Sequence, residues 1–314
     1  MKPKNDSSRA FIDLAKMGRS GWRTVALTIL LIAFLSILST LVTLIFTGWS
    51  VYFKHFRIVD AGNAIVSGAA NPLVCVFGFW LACKRILRRP FRSLISTDLT
   101  FSARRCLLGA ALYLLANVLS LMAITLYASM RYGAWMIPFG HFEWPHSSQV
   151  FGAVAAIIGI PFFAFAEELF FRGWLTQTLG QYIRVPMVVV VLVAMLFAAY
   201  HTQYDLQKKT LMLVGSLGLS ALCLRDQRLE LAIGAHLMMN ICVVLQILFF
   251  TGPLPHVQTL TTVKTFDWLS LVILKGALPL ALMYWLLQKT TGWYVPAGIR
   301  AASTVDRLSQ SNAL

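Results

Sequence analysis

Residues 166–174 read A-E-E-L-F-F-R-G-W and follow an approach, V-F-G-A-V-A-A-I-I-G-I-P-F-F-A-F, that contains no charge. A charged side chain in the middle of a bilayer costs roughly 2.5–3.5 kcal/mol even on the lenient insertion scale. Glu167, Glu168 and Arg172 therefore read as a site that faces protein or water-filled space. Adjacent residues on a helix point about 100 degrees apart, so both carboxylates need not serve one water. Arg172 lies four residues beyond Glu168, the spacing of side-chain neighbours on a helix. This predicts a division of labour: Glu168 is held by Arg172, and Glu167 faces a water. A poorly hydrated glutamate is a strong enough base to take a proton from water during peptide hydrolysis. A buried ion pair without chemistry would account for Glu168 and Arg172 but not for Glu167.

Two further apolar stretches carry polar residues four apart. Phe197 and His201 occur in M-L-F-A-A-Y-H-T-Q-Y-D, where the spacing predicts a shared helix face. His236 and Asn240 repeat it in L-E-L-A-I-G-A-H-L-M-M-N-I. One such pair is ordinary glue between membrane helices; three polar sets in three spans make a site. Each imidazole can donate or accept through either nitrogen, and the Asn240 amide suits an oxyanion hole. A zinc centre built from Glu167, His201 and His236, with Glu168 as base, uses the same residues, yet no H-E-x-x-H occurs. Ser216 and Ser220 have no carboxylate at helical spacing to support a Ser–His–Asp reading. No phosphate loop, dinucleotide glycine pattern or thiol-protease arrangement is present, which removes ATPases, dinucleotide enzymes and thiol proteases and predicts no cofactor.

The elements that must hold these residues are membrane helices. With 58% hydrophobic and 12% charged residues and a mean hydropathy of +0.71, the chain is too apolar for an ordinary soluble domain. Apolar runs near 25–47, 62–83, 106–128, 150–169, 186–204, 211–224, 231–250 and 269–287 predict about eight spans. They leave room for one domain only, an all-α polytopic transmembrane bundle over 1–314, with a basic N-terminus (1–24) and a motif-bearing core (150–250). The first run is too long for a signal-peptide core and reads as a retained span. Pro161 removes a backbone donor inside the fourth run and predicts a bend there. The connection 129–149, rich in Trp, Tyr, His and Pro, predicts an interfacial segment or a short surface helix.

Net charge is +15, which raises the question of nucleic acid, but its distribution answers it. Numbering the connections alternately places 20 Lys and Arg on the inner side and 6 on the outer. That asymmetry predicts both termini in the cytoplasm. Lys84, Arg85, Arg88, Arg89 and Arg92 read as an anchor to anionic headgroups, and nothing resembles a nucleic-acid module. The partners expected are the lipid bilayer and a membrane-embedded or lipid-modified protein or peptide. Cys75, Cys83, Cys106, Cys223 and Cys242 lie in or beside apolar runs without C-x-x-C spacing, and read as small hydrophobes.

The run E-E-L-F-F-R, then F-A-A-Y-H, then H-L-M-M-N resembles the three motifs of the CAAX protease and bacteriocin-processing family of glutamate-type intramembrane proteases. The resemblance implies eight helices around an intramembrane cavity in a bacterial cytoplasmic membrane, and hydrolysis without a catalytic metal. It also implies that Glu167 activates water with help from His201, that His236 and Asn240 stabilise the oxyanion, and that Glu168, Arg172 and Phe197 support them. Its substrates would be prenylated C-termini, peptide precursors or membrane-anchored proteins. A non-catalytic immunity or interaction scaffold, or a transporter with midplane carboxylates, are the competing readings. One conflict concerns depth. Counted from Pro186, His201 lies about 22 Å along its helix, whereas Glu167 sits near the inner end of its run. The two meet only if the fourth helix continues through W-L-T-Q-T-L to about 179.

Overall fold

A backbone that crosses lipid must satisfy its own N–H and C=O groups, and helices do so within one segment. The computed structural model describes residues 9–52, 57–132, 141–251 and 272–289, and the apolar runs fall on helices. A short helix α1 (Ala10–Asp13) and a tight turn (Leu14–Met17) precede α2 (Trp22–Tyr52), α3 (Arg57–Ala82) and α4 (Ala103–Tyr132). Next come α5 (Ser147–Glu168), α6 (Thr176–Tyr182), α7 (Pro186–Tyr200), α8 (Leu206–Asp226), α9 (Glu230–Phe249) and α10 (Leu278–Lys289). The result is an all-α polytopic bundle. Among the described residues five helical stretches are long and apolar enough to cross a membrane, and Pro186–Tyr200 and Val272–Gln288 are shorter apolar helices.

Two boundaries differ from the sequence reading, and the fourth helix takes the longer course, past the 150–169 run, that bringing His201 to Glu167 requires. It winds more loosely through Leu169–Leu175, with i→i+5 hydrogen bonding, and continues as α6 to Tyr182. The fifth ends at Tyr200 rather than 204. His201 already has non-helical backbone angles (φ −82°, ψ 67°), so it does not share a helix face with Phe197. The sixth begins earlier than 211, at Leu206, because the Asp205 carboxylate accepts the Lys208 N–H at 2.8 Å and caps the helix. The helix also runs without interruption through Pro161.

Part of the 129–149 connection lies outside the described residues. The rest includes a two-residue strand, His141–Phe142, paired antiparallel with Phe250–Thr251 at the end of α9, not a surface helix. The C-terminal tail and residues 1–8, with their share of the charge count, also lie outside the described residues.

Close backbone contact sets the position of α9. A Cβ at Gly234 would overlap the carbonyl oxygen of Cys106, and one at Gly109 would overlap that of Leu231. Glycine at both positions lets α4 and α9 touch along their backbones, the device by which membrane helices gain dispersion contact. Around this pair, α5 lies against α3 and α9, and α7 against α8.

The segments numbered as inner connections gather at one end. The Arg19 N–H donates to Leu87 O at 2.7 Å, Phe11 N–H to Gln227 Oε1 at 2.6 Å, and Leu229 N–H to Ile95 O at 2.9 Å. Lys84, Arg85, Arg88 and Arg92 are exposed there. Arg89 is not a headgroup anchor: it is 7% exposed and donates to Gln177 Oε1 at 2.7 Å. The five cysteines are free, with Cys83 and Cys223 buried and the others half-buried.

Candidate active site

The charges sit where α5 passes into the loosely wound stretch, the two acids at the helix end and Arg172 beyond. Glu168 is fully buried, and its Oε1 accepts from Arg172 Nη1 at 2.8 Å and from His236 Nδ1 at 2.7 Å. The i,i+4 pairing of Glu168 with Arg172 is thus present. The guanidinium is further fixed by two hydroxyls on α8: Nη2 donates to Ser216 Oγ at 2.7 Å and Nε to Ser220 Oγ at 3.4 Å. Its remaining face lies over the Phe197 ring, 4.5 Å from the centroid, an arrangement favourable to a cation that has lost its water. Arg172, 1% exposed, is therefore held on every side.

Glu167 is bound differently. Its Oε1 lies 3.7 Å from His201 Nε2 and its Oε2 3.5 Å from His236 Nε2. Both separations are at or beyond ordinary hydrogen-bond length. Oε1 is buried with no hydrogen-bond partner among the described residues. The other nitrogen of each ring defines what faces this carboxylate. His201 Nδ1 lies 2.8 Å from the Phe197 carbonyl oxygen; a carbonyl only accepts, so Nδ1 carries the hydrogen and Nε2 of the neutral ring is an acceptor. His236 Nδ1 donates to the Glu168 carboxylate, which leaves its Nε2 also directed at Glu167.

Depth, the difficulty raised by the sequence, resolves through the longer helix. Glu167 lies fifteen positions before Tyr182 and His201 fifteen after Pro186, so the turn at 183–185 carries both to roughly the same level, about 20 Å away. Phe197 connects the rings, with its centroid 4.7 Å from that of His201 and 6.0 Å from that of His236. Six of the residues singled out in the sequence thus converge: Glu167, Glu168, Arg172, Phe197, His201 and His236. Asn240 lies one turn beyond His236 on α9, half-buried, and its side-chain amide makes no hydrogen bond among the described residues. Among the described residues no three His, Cys, Asp or Glu side chains are arranged to hold a metal ion.

Sequence reasoning missed the service of Ser216 and Ser220. The signal was present, two hydroxyls four apart in an apolar run, but their partner lies on another helix. Tyr204, stacked on His201 with centroids 6.1 Å apart, was missed as well.

The fold and site define a class: a polytopic helical membrane protein with a buried acid–histidine centre. Residues 147–242, about a third of the chain, match the family model described as type II CAAX prenyl endopeptidase Rce1-like. All seven candidate residues fall within that segment, so the family resemblance read from the motifs is shown there. The chain is also 32% identical over 130 residues to YyaK of Bacillus subtilis (strain 168), a protein described as uncharacterized. That similarity covers 41% of this chain and 41% of the relative, so the chain matches about two fifths of the relative's length. No solved structure matches the chain.

Proposed function

We propose that this protein is an intramembrane endopeptidase in which Glu167 activates the attacking water. The observation that carries this reading is the convergence of two imidazole Nε2 atoms on one buried carboxylate, beside a second carboxylate already bound by two donors. A water between Glu167 and His201 finds two acceptors, one for each of its hydrogens. Its lone pair is then free to attack a peptide carbonyl carbon while Glu167 takes the proton. The carbonyl oxygen becomes an oxyanion, which His236 protonated at Nε2 and the Asn240 amide stabilise by donating to it. Glu168 supports a positively charged His236 through Nδ1. As the C–N bond breaks, the proton on Glu167 passes to the leaving amine, and the carboxylate is regenerated.

The substrate is a lipid-modified or membrane-embedded peptide. Prenylated C-termini come first, because the matched family is described by them; peptide precursors and membrane-anchored proteins are the other candidates. We place the bundle in a bacterial cytoplasmic membrane with its basic end and both termini inward. Reporter fusions after Arg19 and after Arg300 should both report cytoplasm, and an external signal from either would reverse that orientation.

The function is tested with purified protein in lipid nanodiscs and a farnesylated peptide ending in a CAAX sequence, beside an unprenylated membrane-spanning reporter. Wild type should cleave at least one, and Glu167→Gln neither, with unchanged thermal unfolding. Full-rate cleavage by Glu167→Gln would remove Glu167 from the role of base. One zinc per active chain, lost together with activity on chelation and restored with it, would instead make Glu167, His201 and His236 ligands.

A further inference from the structure

Away from the acid–histidine centre, the start of α7 and the end of α8 part to leave a groove of about 450 Å³. Its walls are Val185, Pro186, Met187, Val190, Ala221 and Leu224, and its rim is Arg225. The volume lies within the range of small-molecule sites, and the wall side chains are apolar. Val185 and Met187 are exposed, so the groove is open to the surroundings of the bundle along an apolar wall. One cation, Arg225, is among the residues that line it. Arg225 is exposed, lies over the Tyr284 ring at 5.1 Å, and makes no ion pair among the described residues. Arg184, also exposed, immediately precedes the wall residue Val185 and likewise has no carboxylate partner among the described residues.

An apolar trough lined by a guanidinium group outside any ion pair among the described residues matches one kind of molecule, an anionic phospholipid. We propose that this groove binds one phospholipid, with an acyl chain along the α7–α8 wall and its phosphate on Arg225. Guanidinium recognises phosphate through paired, charge-assisted hydrogen bonds, and the inner leaflet supplies anionic lipid next to a basic protein end. The bound lipid would also fill the space between the helix that leads to His201 and the helix that holds Arg172 through Ser216 and Ser220. The site is independent of the proposed protease activity, because neither Arg225 nor the wall residues touch Glu167 or its histidines.

Native mass spectrometry of the full-length protein tests this with phosphatidylglycerol and phosphatidylcholine of identical acyl chains. Wild type should retain one phosphatidylglycerol roughly ten- to a hundredfold more strongly than phosphatidylcholine. Arg225→Gln should erase that preference while leaving the protein folded, and Ala221→Phe should reduce retention of both lipids by filling the trough. Equal retention of the two lipids by wild type would overturn the proposal. So would an unchanged preference in Arg225→Gln, or displacement of the bound lipid by a farnesylated peptide but not by excess phosphatidylglycerol. If Ala221→Phe fails to fold, the Arg225→Gln comparison still decides.

Discussion

Two of the polar clusters among the described residues are built to opposite ends. At the end where the basic connections gather, Arg228 donates to both oxygens of Glu230, from Nε at 3.2 and 3.0 Å and from Nη2 at 2.6 Å, and also pairs with Asp98. Glu230 Oε1 further accepts the Ser102 N–H at 3.1 Å, and Asp98 accepts from Ser96 and Thr100. Both oxygens of each of these carboxylates are occupied. In the acid–histidine centre, Glu167 Oε1 and Glu168 Oε2 are buried without a hydrogen-bond partner among the described residues. A saturated cluster has no capacity left for a new molecule, so its work is to join segments. An unsaturated one has acceptor sites to offer, which is what a reacting water requires.

The sharpest way to break this contrast is Glu167→Gln. Loss of a positioned base costs about 100- to 10,000-fold in rate, so turnover of a cleavable reporter should fall by that factor with thermal unfolding unchanged. Next come the two arginines. Removing one partner of a buried pair costs about 3–5 kcal/mol, so Arg172→Ala and Arg228→Ala should both lower yield and unfolding temperature. They should separate in kinetics: the surviving Arg228→Ala molecules keep the wild-type rate, and the Arg172→Ala molecules do not. Equal losses of rate would erase the distinction between the clusters.

Asn240→Ala should cost about 100- to 1,000-fold in turnover, the range for a lost oxyanion donor, with little change in substrate binding or stability. The smallest effect is expected at Asp98. Partial burial pushes its carboxyl up, but hydrogen bonds from Thr100 and Ser96 and the nearby Arg228 outweigh that and hold it below the ordinary range. A depressed acid stabilises the fold above its unfolded pKa of about 3.9, and that contribution fades as pH falls through the lower folded value. The side chain is half exposed, so the contribution is below about 1 kcal/mol. The gap in unfolding temperature between wild type and Asp98→Asn should therefore be small at pH 7 and close at strongly acid pH.

Much of this was legible in the sequence, for a physical reason: charge in an apolar run is too costly to be incidental. Glu167, Glu168 and Arg172 announced themselves on that ground, and the helix period placed Glu168 against Arg172. The requirement that His201 meet Glu167 also pointed to the longer fourth helix. What failed were features set by contacts between distant segments. Ser216 and Ser220 resemble any small polar pair until Arg172 arrives from another helix. Arg89 and Arg228 were counted with surface charge, although packing buries both at the basic end. The end of α7 at Tyr200 carries no strong stop signal, whereas D-L-Q-K at 205–208 was a readable cap obscured by two lysines.

The turn at 183–185 has a consequence for how the protein is made. Because Glu167 and His201 flank it at equal distances, one helical hairpin delivers the proposed base and its helper to the bilayer together. His236 and Asn240 follow two helices later in the chain, and synthesis runs from the N-terminus. During that interval the nascent chain carries the acid without the two residues proposed to stabilise the oxyanion. Assembly order thus keeps the centre incomplete until α9 is seated against α4, where the backbone contact at Gly109 and Gly234 forms.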